Sequence, residues 1–144
     1  MTRRVVTGLN AEGKSCIVID DEIAQHGSAA VAWRSALPAD NAGLADAAVP
    51  YSADIFHDGG STFMLVEMEP GIGRYFHATD TIDYLVVLQG EVVIELESGE
   101  AKMGPGTFIV DRGVLHSWRN DGPDKVVMAS IILPAAPVGK GSTL

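Results

Sequence analysis

A single cysteine, Cys16, stands in a chain of 144 residues, so neither an intrachain disulfide nor a cysteine-rich zinc site is open to it. That scarcity fits a reducing compartment, and a cytoplasmic location is the expectation. Within the apolar run Cys16-Ile17-Val18-Ile19 the thiol is expected to be buried and inert. Long hydrophobic runs are also missing. The most extended, residues 126–133, is too short to cross a bilayer as a helix. The basic start, Met1-Thr2-Arg3-Arg4, has no apolar stretch behind it, so it does not read as a signal peptide. Positive charge is scarce too. Ten Lys and Arg face 19 Asp and Glu, a net charge of −9, and such a surface repels phosphate backbones and anionic membranes. Neither nucleic acid nor membrane is an expected partner.

Glycine, by contrast, is plentiful at 16 residues, and it recurs with proline between short apolar runs. Strands are expected at residues 4–7, 15–20, 30–35, 62–68, 75–78, 83–88, 91–97, 107–110, 116–119 and 125–133. The connectors carry turn chemistry: Asp58-Gly59-Gly60, Pro70-Gly71, Gln89-Gly90, Ser98-Gly99 and Gly104-Pro105-Gly106. Many short strands at this spacing predict an all-β sandwich or barrel. The one helix candidate is residues 40–48, with Asp40 as its cap and Gly43 against it. Residues 1–50 are Ala-rich and irregular, and read as an N-terminal arm that covers the barrel or swaps onto a partner. Residues 51–136 are the barrel, and 137–144 a flexible tail. Alternation points Met64, Val66 and Met68 to one side of their strand. Core filling is the plain reading of the two methionines, and substrate contact the functional one.

Four histidines are present. His26 and His57 lie in polar, loop-like stretches, whereas His77 and His116 lie in strands among apolar and aromatic neighbours. By the two-residue period, Tyr75, His77 and Thr79 share one face, Asp83, Leu85 and Val87 another, and His116 and Trp118 a third. No nucleotide-binding glycine motif and no nucleophile elbow occurs.

The stretch from Gly71 to Gly90 resembles the first motif of the cupin superfamily, G-x5-H-x-H-x3,4-E-x6-G. Gly71, His77 and Gly90 match, Thr79 stands for the second histidine and Asp83 for the glutamate. The stretch from Gly106 to Asn120 resembles the second motif, G-x5-P-x-G-x2-H-x3-N. Gly113, His116 and Asn120 match, Asp111 stands for the proline, and the first gap is one residue shorter. The resemblance spans residues 62–133. It implies an antiparallel jelly-roll barrel with an interior site, and one divalent transition metal (Fe, Zn, Mn, Ni or Co) on His77, Asp83 and His116.

If the three faces named above all point inward, the residues themselves bring the same three side chains together. Two imidazoles and a carboxylate with open positions are the donor set of mononuclear iron and zinc sites. The competing reading is a polar pocket without metal, in which His77 bonds Asp83 or Thr79. Asp80 is a second carboxylate, set by parity on the opposite side from Thr79, and Asp83 is the preferred ligand. Thr79 stands near the vacant position. Tyr75, Trp118 and Met64 wall the pocket or simply pack the core. The functions to be separated are a metal-dependent enzyme acting on a small organic molecule (an oxygenase, lyase, decarboxylase or isomerase), a non-catalytic small-molecule binder, and a structural barrel. Exposed sheet edges and the irregular arm predict a homodimer.

Overall fold

Alternating burial builds the barrel. The structure, a computed structural model, describes residues 2–43 and 45–144. The chain runs β1 (Arg3–Leu9), β2 (Ser15–Glu22), β3 (Ala29–Ser35), a 3-10 turn (Ala53–Phe56), β4 (Ser61–Met68), β5 (Thr81–Gln89), β6 (Val92–Leu96), β7 (Gly99–Met103), β8 (Phe108–Asp111), β9 (His116–Arg119) and β10 (Val126–Pro134). In β10 every second residue, Val126, Met128, Ser130 and Ile132, is buried, the signature of a strand with one face in a core. Five strands form one antiparallel sheet in the order β3-β4-β10-β5-β8, and three form a second, β7-β6-β9. One core cluster joins them, with Met68, Leu85, Val87, Val92, Ile109, Val126 and Met128 at its centre. A second, around Val31, Ile55, Met64 and Ile132, seats the 3-10 turn against the sheet. The architecture is all-β, in keeping with the jelly-roll expectation.

Strand β3 pairs with β4 and belongs to the large sheet. Strands β1 and β2 form a separate hairpin. Arg4 ties this hairpin down. It is only 8% exposed, its guanidinium donates to both Asp21 and Asp46, and it reaches the Ala32 carbonyl at 3.2 Å. Cys16, expected to be buried, is half-buried in the hairpin.

Three local expectations are corrected. Residues 75–78 form no strand; a single bridge, His77 to His116, replaces it. Arg74 turns the chain with φ 51°, and the Tyr75 N–H donates to Ser117 Oγ instead of to a neighbouring strand. Residues 40–48 are not helical among the described residues, and Met1 and Leu44 lie outside them. Asp40 accepts from the Ala42 N–H and Asp46 from the Ala48 N–H, turns that compete with helix, and Asp46 is already bound to Arg4. Strand β7 was not expected, because its residues Gly-Glu-Ala-Lys-Met are almost all exposed and carry no apolar alternation. The end of the chain is tied to the loop before β5. The Thr143 N–H donates to the Ala78 carbonyl, Ala78 N–H to Thr143 Oγ1, and Ser142 N–H to Asp80 Oδ1.

Two glycines hold the site's frame. Gly90 (φ 76°) would set a Cβ 2.6 Å from the Lys125 carbonyl, and Gly113 (φ 71°) would drive one into the Thr79 carbonyl. Both positive φ and close approach demand glycine. Gly90→Ala and Gly113→Ala should each lower stability by about 2 kcal/mol or more, read as a fall in urea midpoint. Unchanged midpoints would contradict the turn geometry.

Candidate functional site

The barrel interior holds a cavity of about 160 Å³. Its wall includes His77, Thr79, Asp83, His116, Met64 and Trp118. A larger cleft, about 730 Å³, lies elsewhere, between the β1–β2 hairpin and Trp33 and Phe63, away from every histidine.

Backbone carbonyls orient both imidazoles. His77 Nδ1 lies 2.9 Å from the Tyr75 carbonyl and His116 Nδ1 2.7 Å from the Val114 carbonyl. A carbonyl only accepts, so each Nδ1 carries the proton and, in the neutral ring, each Nε2 carries a bare lone pair. The two rings lie 4.4 Å apart between centroids. Trp118 meets His116 edge-on at 5.6 Å, and Tyr75 stacks on His77 at 5.4 Å.

Two carboxylates stand beside them, Asp111 buried and Asp83 half-buried. Asp83 and Asp111 are cross-strand partners on β5 and β8. Thr81 Oγ1 donates to Asp83 Oδ1 at 2.8 Å, so in its other contact, with Thr79 Oγ1 at 2.8 Å, Thr81 must accept. Thr79 therefore spends its proton on Thr81 and keeps lone pairs for a ligand. Burial pushes the Asp83 carboxyl up to about 6; the Thr81 bond opposes this and the charge of Asp111 adds to it. Burial also holds the His116 imidazole below its ordinary value, against the pull of Asp111.

Asp111 is the residue the sequence reading passed over. Its Oδ1 accepts from the Gly113 N–H. Its Oδ2 lies 3.0 Å from His116 Nε2, with both side chains almost wholly buried, yet forms no aligned hydrogen bond. Two lone pairs facing each other at this distance repel unless a proton or a cation stands between them. The available signal was parity: Asp111 shares the inward face of β8 with Ile109. Tyr51 and Phe56 also line the cavity, brought there by the 3-10 turn, for which no strand periodicity could have spoken.

The expected ligands His77, Asp83 and His116 all line the one cavity, as do Met64, Thr79 and Trp118. Tyr75 does not. It is 66% exposed, because the Arg74 turn swings its ring to the outer side of His77. Asp80 faces the C-terminal segment, as its bond to Ser142 shows. In kind, the donors suit a divalent cation: two bare imidazole nitrogens, the half-buried carboxylate of Asp83, and a buried Asp111 oxygen without an aligned donor. In position they stop short of a finished cage, because no three His, Cys, Asp or Glu side chains among the described residues stand in metal-holding geometry.

Residues 64–132 match the family model described as a cupin domain. This barrel is a cupin. Members of this superfamily commonly bind a metal. A protein of Diaporthe leptostromiformis, phomopsin biosynthesis cluster protein D, is 45% identical over 67 residues, covering 46% of this cupin's chain and 35% of its own. The cupin-domain-containing oxidoreductase srdB of Neurospora crassa is 27% identical over 132 residues, covering 85% of this chain and 67% of its own. The chain thus spans about a third of the first relative's length and two thirds of the second's. Among solved structures, the Cnp3 cupin domain of Schizosaccharomyces pombe superposes with a TM-score of 0.58 at 13% identity, covering 93% of this chain and 88% of its own, and it shares the fold. No helix among the described residues is long and apolar enough to cross a membrane.

Proposed function

We propose that this cupin is a metal-dependent enzyme acting on a small organic molecule, with oxidoreductase chemistry as the leading class. One observation carries the proposal: two carbonyl-fixed imidazoles present bare Nε2 atoms to one cavity beside the half-buried carboxylate of Asp83. The oxidoreductase name borne by a relative that aligns over most of the chain supports the class. His77, Asp83 and His116 would hold one divalent transition metal, whose contribution is to act as Lewis acid on a substrate oxygen.

The chain's own residues do the rest. The Met64 and Trp118 side chains exclude water and give the substrate an apolar wall. Thr79 Oγ1, its proton committed to Thr81, accepts a hydrogen bond from a substrate hydroxyl or amine. The cavity's size sets the substrate's size. About 150 Å³ accommodates a benzene ring, so about 160 Å³ admits one ring or one end of a longer molecule.

Non-catalytic binding is the second reading, and the His116–Asp111 contact favours it, since a shared proton would close the site without metal. Single-ring hydroxyl and carbonyl compounds separate the two. The enzyme reading expects turnover, followed as oxygen uptake or product formation, in the metal-loaded chain and none after chelation. Tight binding without turnover, unchanged by chelation, would establish the binder instead.

A further inference from the structure

One polar side chain interrupts the inward face of β10. Val126, Met128 and Ile132 are apolar, whereas Ser130 is a hydroxyl and only 3% exposed. Its cross-strand partners are Met64 on β4 and Leu85 on β5, both buried. A hydroxyl in such a setting costs stability unless a hydrogen bond replaces its lost water, and an apolar side chain would pack there without that cost. The other polar side chains buried on this sheet all have protein partners. Thr62 accepts from Arg34, Thr81 donates to Asp83, and Asp111 accepts from the Gly113 N–H. The Ser130 hydroxyl bonds to no other side chain or backbone group among the described residues. Unlike Asp111 Oδ2 it is not sealed off, and it belongs to the wall of the cavity of about 160 Å³.

Strand register fixes where that hydroxyl stands. Ser130 pairs with Leu85, and Asp83, two residues earlier, pairs with Ile132. Ser130 and Asp83 are therefore diagonal neighbours on one face, their backbones about 7–8 Å apart. The serine lies one step along the barrel from the cluster of His77, Asp83 and His116, with Leu85 and Ile132 between. A ligand that meets both ends must carry two polar groups. On a single ring, groups on adjacent carbons stand too close together to span the gap, whereas groups on opposite carbons reach across it.

We propose that Ser130 sets the specificity of this cavity: its hydroxyl holds a second polar group of the substrate, across a single ring from the group that meets His77 and Asp83. The inference rests on the reading that the cavity takes a small organic molecule, and it names the class, a ring with hydroxyl or carbonyl groups in para relation. A serine hydroxyl both donates and accepts, so either group fits. A ring with only one polar group leaves the serine unpaired, and that difference is the source of the discrimination.

Titration calorimetry of the chelator-treated full chain, without oxygen at pH 7.5, should read the preference with phenol, catechol and hydroquinone as probes. One hydroxyl of each can donate to the bare His77 Nε2, so no metal is needed. Hydroquinone should bind about tenfold tighter than phenol, the worth of one further hydrogen bond, and catechol should gain little over phenol. Ser130→Ala should bring hydroquinone down to the affinity of phenol and leave phenol itself unchanged. The variant should also keep or raise the urea midpoint, because no protein hydrogen bond is lost. Equal affinities for hydroquinone and phenol, binding of neither, or a hydroquinone advantage that survives in Ser130→Ala overturns the proposal. A fall in the midpoint of Ser130→Ala overturns it too, since the hydroxyl would then be holding the fold. Failure of the wild type to retain metal or turn substrate over strikes the metal-dependent reading and leaves these binding differences standing.

Discussion

Asp83→Asn should make the metal-free protein more stable at neutral pH and leave it unchanged near pH 4. Burial raises the Asp83 carboxyl from 3.8 to about 6. Its folded value lies above its unfolded one, so its contribution is fully present below the unfolded value and is lost as pH rises through about 6. A shift of this size corresponds to about 2–3 kcal/mol given up by neutrality. Asparagine cannot ionise, yet its amide oxygen still accepts from Thr81. The variant should therefore gain about that amount over wild type at pH 7.5, by urea unfolding of chelator-treated protein. His116 works in the opposite direction. Its depressed value costs stability as pH falls below the ordinary histidine range, but it is common to both proteins and cancels in the difference. A difference that stays flat with pH would mean that Asp83 is not the desolvated acid described.

Asp111→Asn should separate stability from metal affinity. In the metal-free chain Asp111 Oδ2 faces His116 Nε2 without an aligned proton. An asparagine amide can donate to that nitrogen, and relief of an unsatisfied buried group should add about 1 kcal/mol. The same change removes a carboxylate from beside a proposed ligand, and metal affinity should fall about 10- to 100-fold. Titration calorimetry and urea unfolding would read the two effects. If both quantities fall together, Asp111 is a framework residue and no more.

The barrel was legible because its long strands have one face inward: Val126-Met128-Ser130-Ile132 alternate without a break, and in β4 Met64 and Met68 are buried to either side of the half-buried Val66, although Leu65 on the other face is buried too. The turn glycines Gly90 and Gly113 were legible for the same local reason. What depends on tertiary contact was not. β7 is nearly all exposed, so it has no period to detect. The segment before His77 reads as strand by composition, but Arg74 and the Ser117 hydroxyl turn it outward and take Tyr75 with it. Asp111 stands where the resembled motif has proline. Only the pairing of β5 with β8 shows that its side chain faces Asp83 and His116.

Metal content decides the central claim. The purified chain, loaded separately with Fe, Zn, Mn, Ni and Co at pH 7.5 and freed of excess ion, should retain about one metal per chain for at least one of them. Retention should fall as pH drops through about 6, where Asp83 takes up its proton. His77→Ala and His116→Ala should each retain almost none, since two protein donors are too few to hold it. Full retention in both histidine variants, or none by the wild type with any of the five ions, would contradict a metal centre in this cavity.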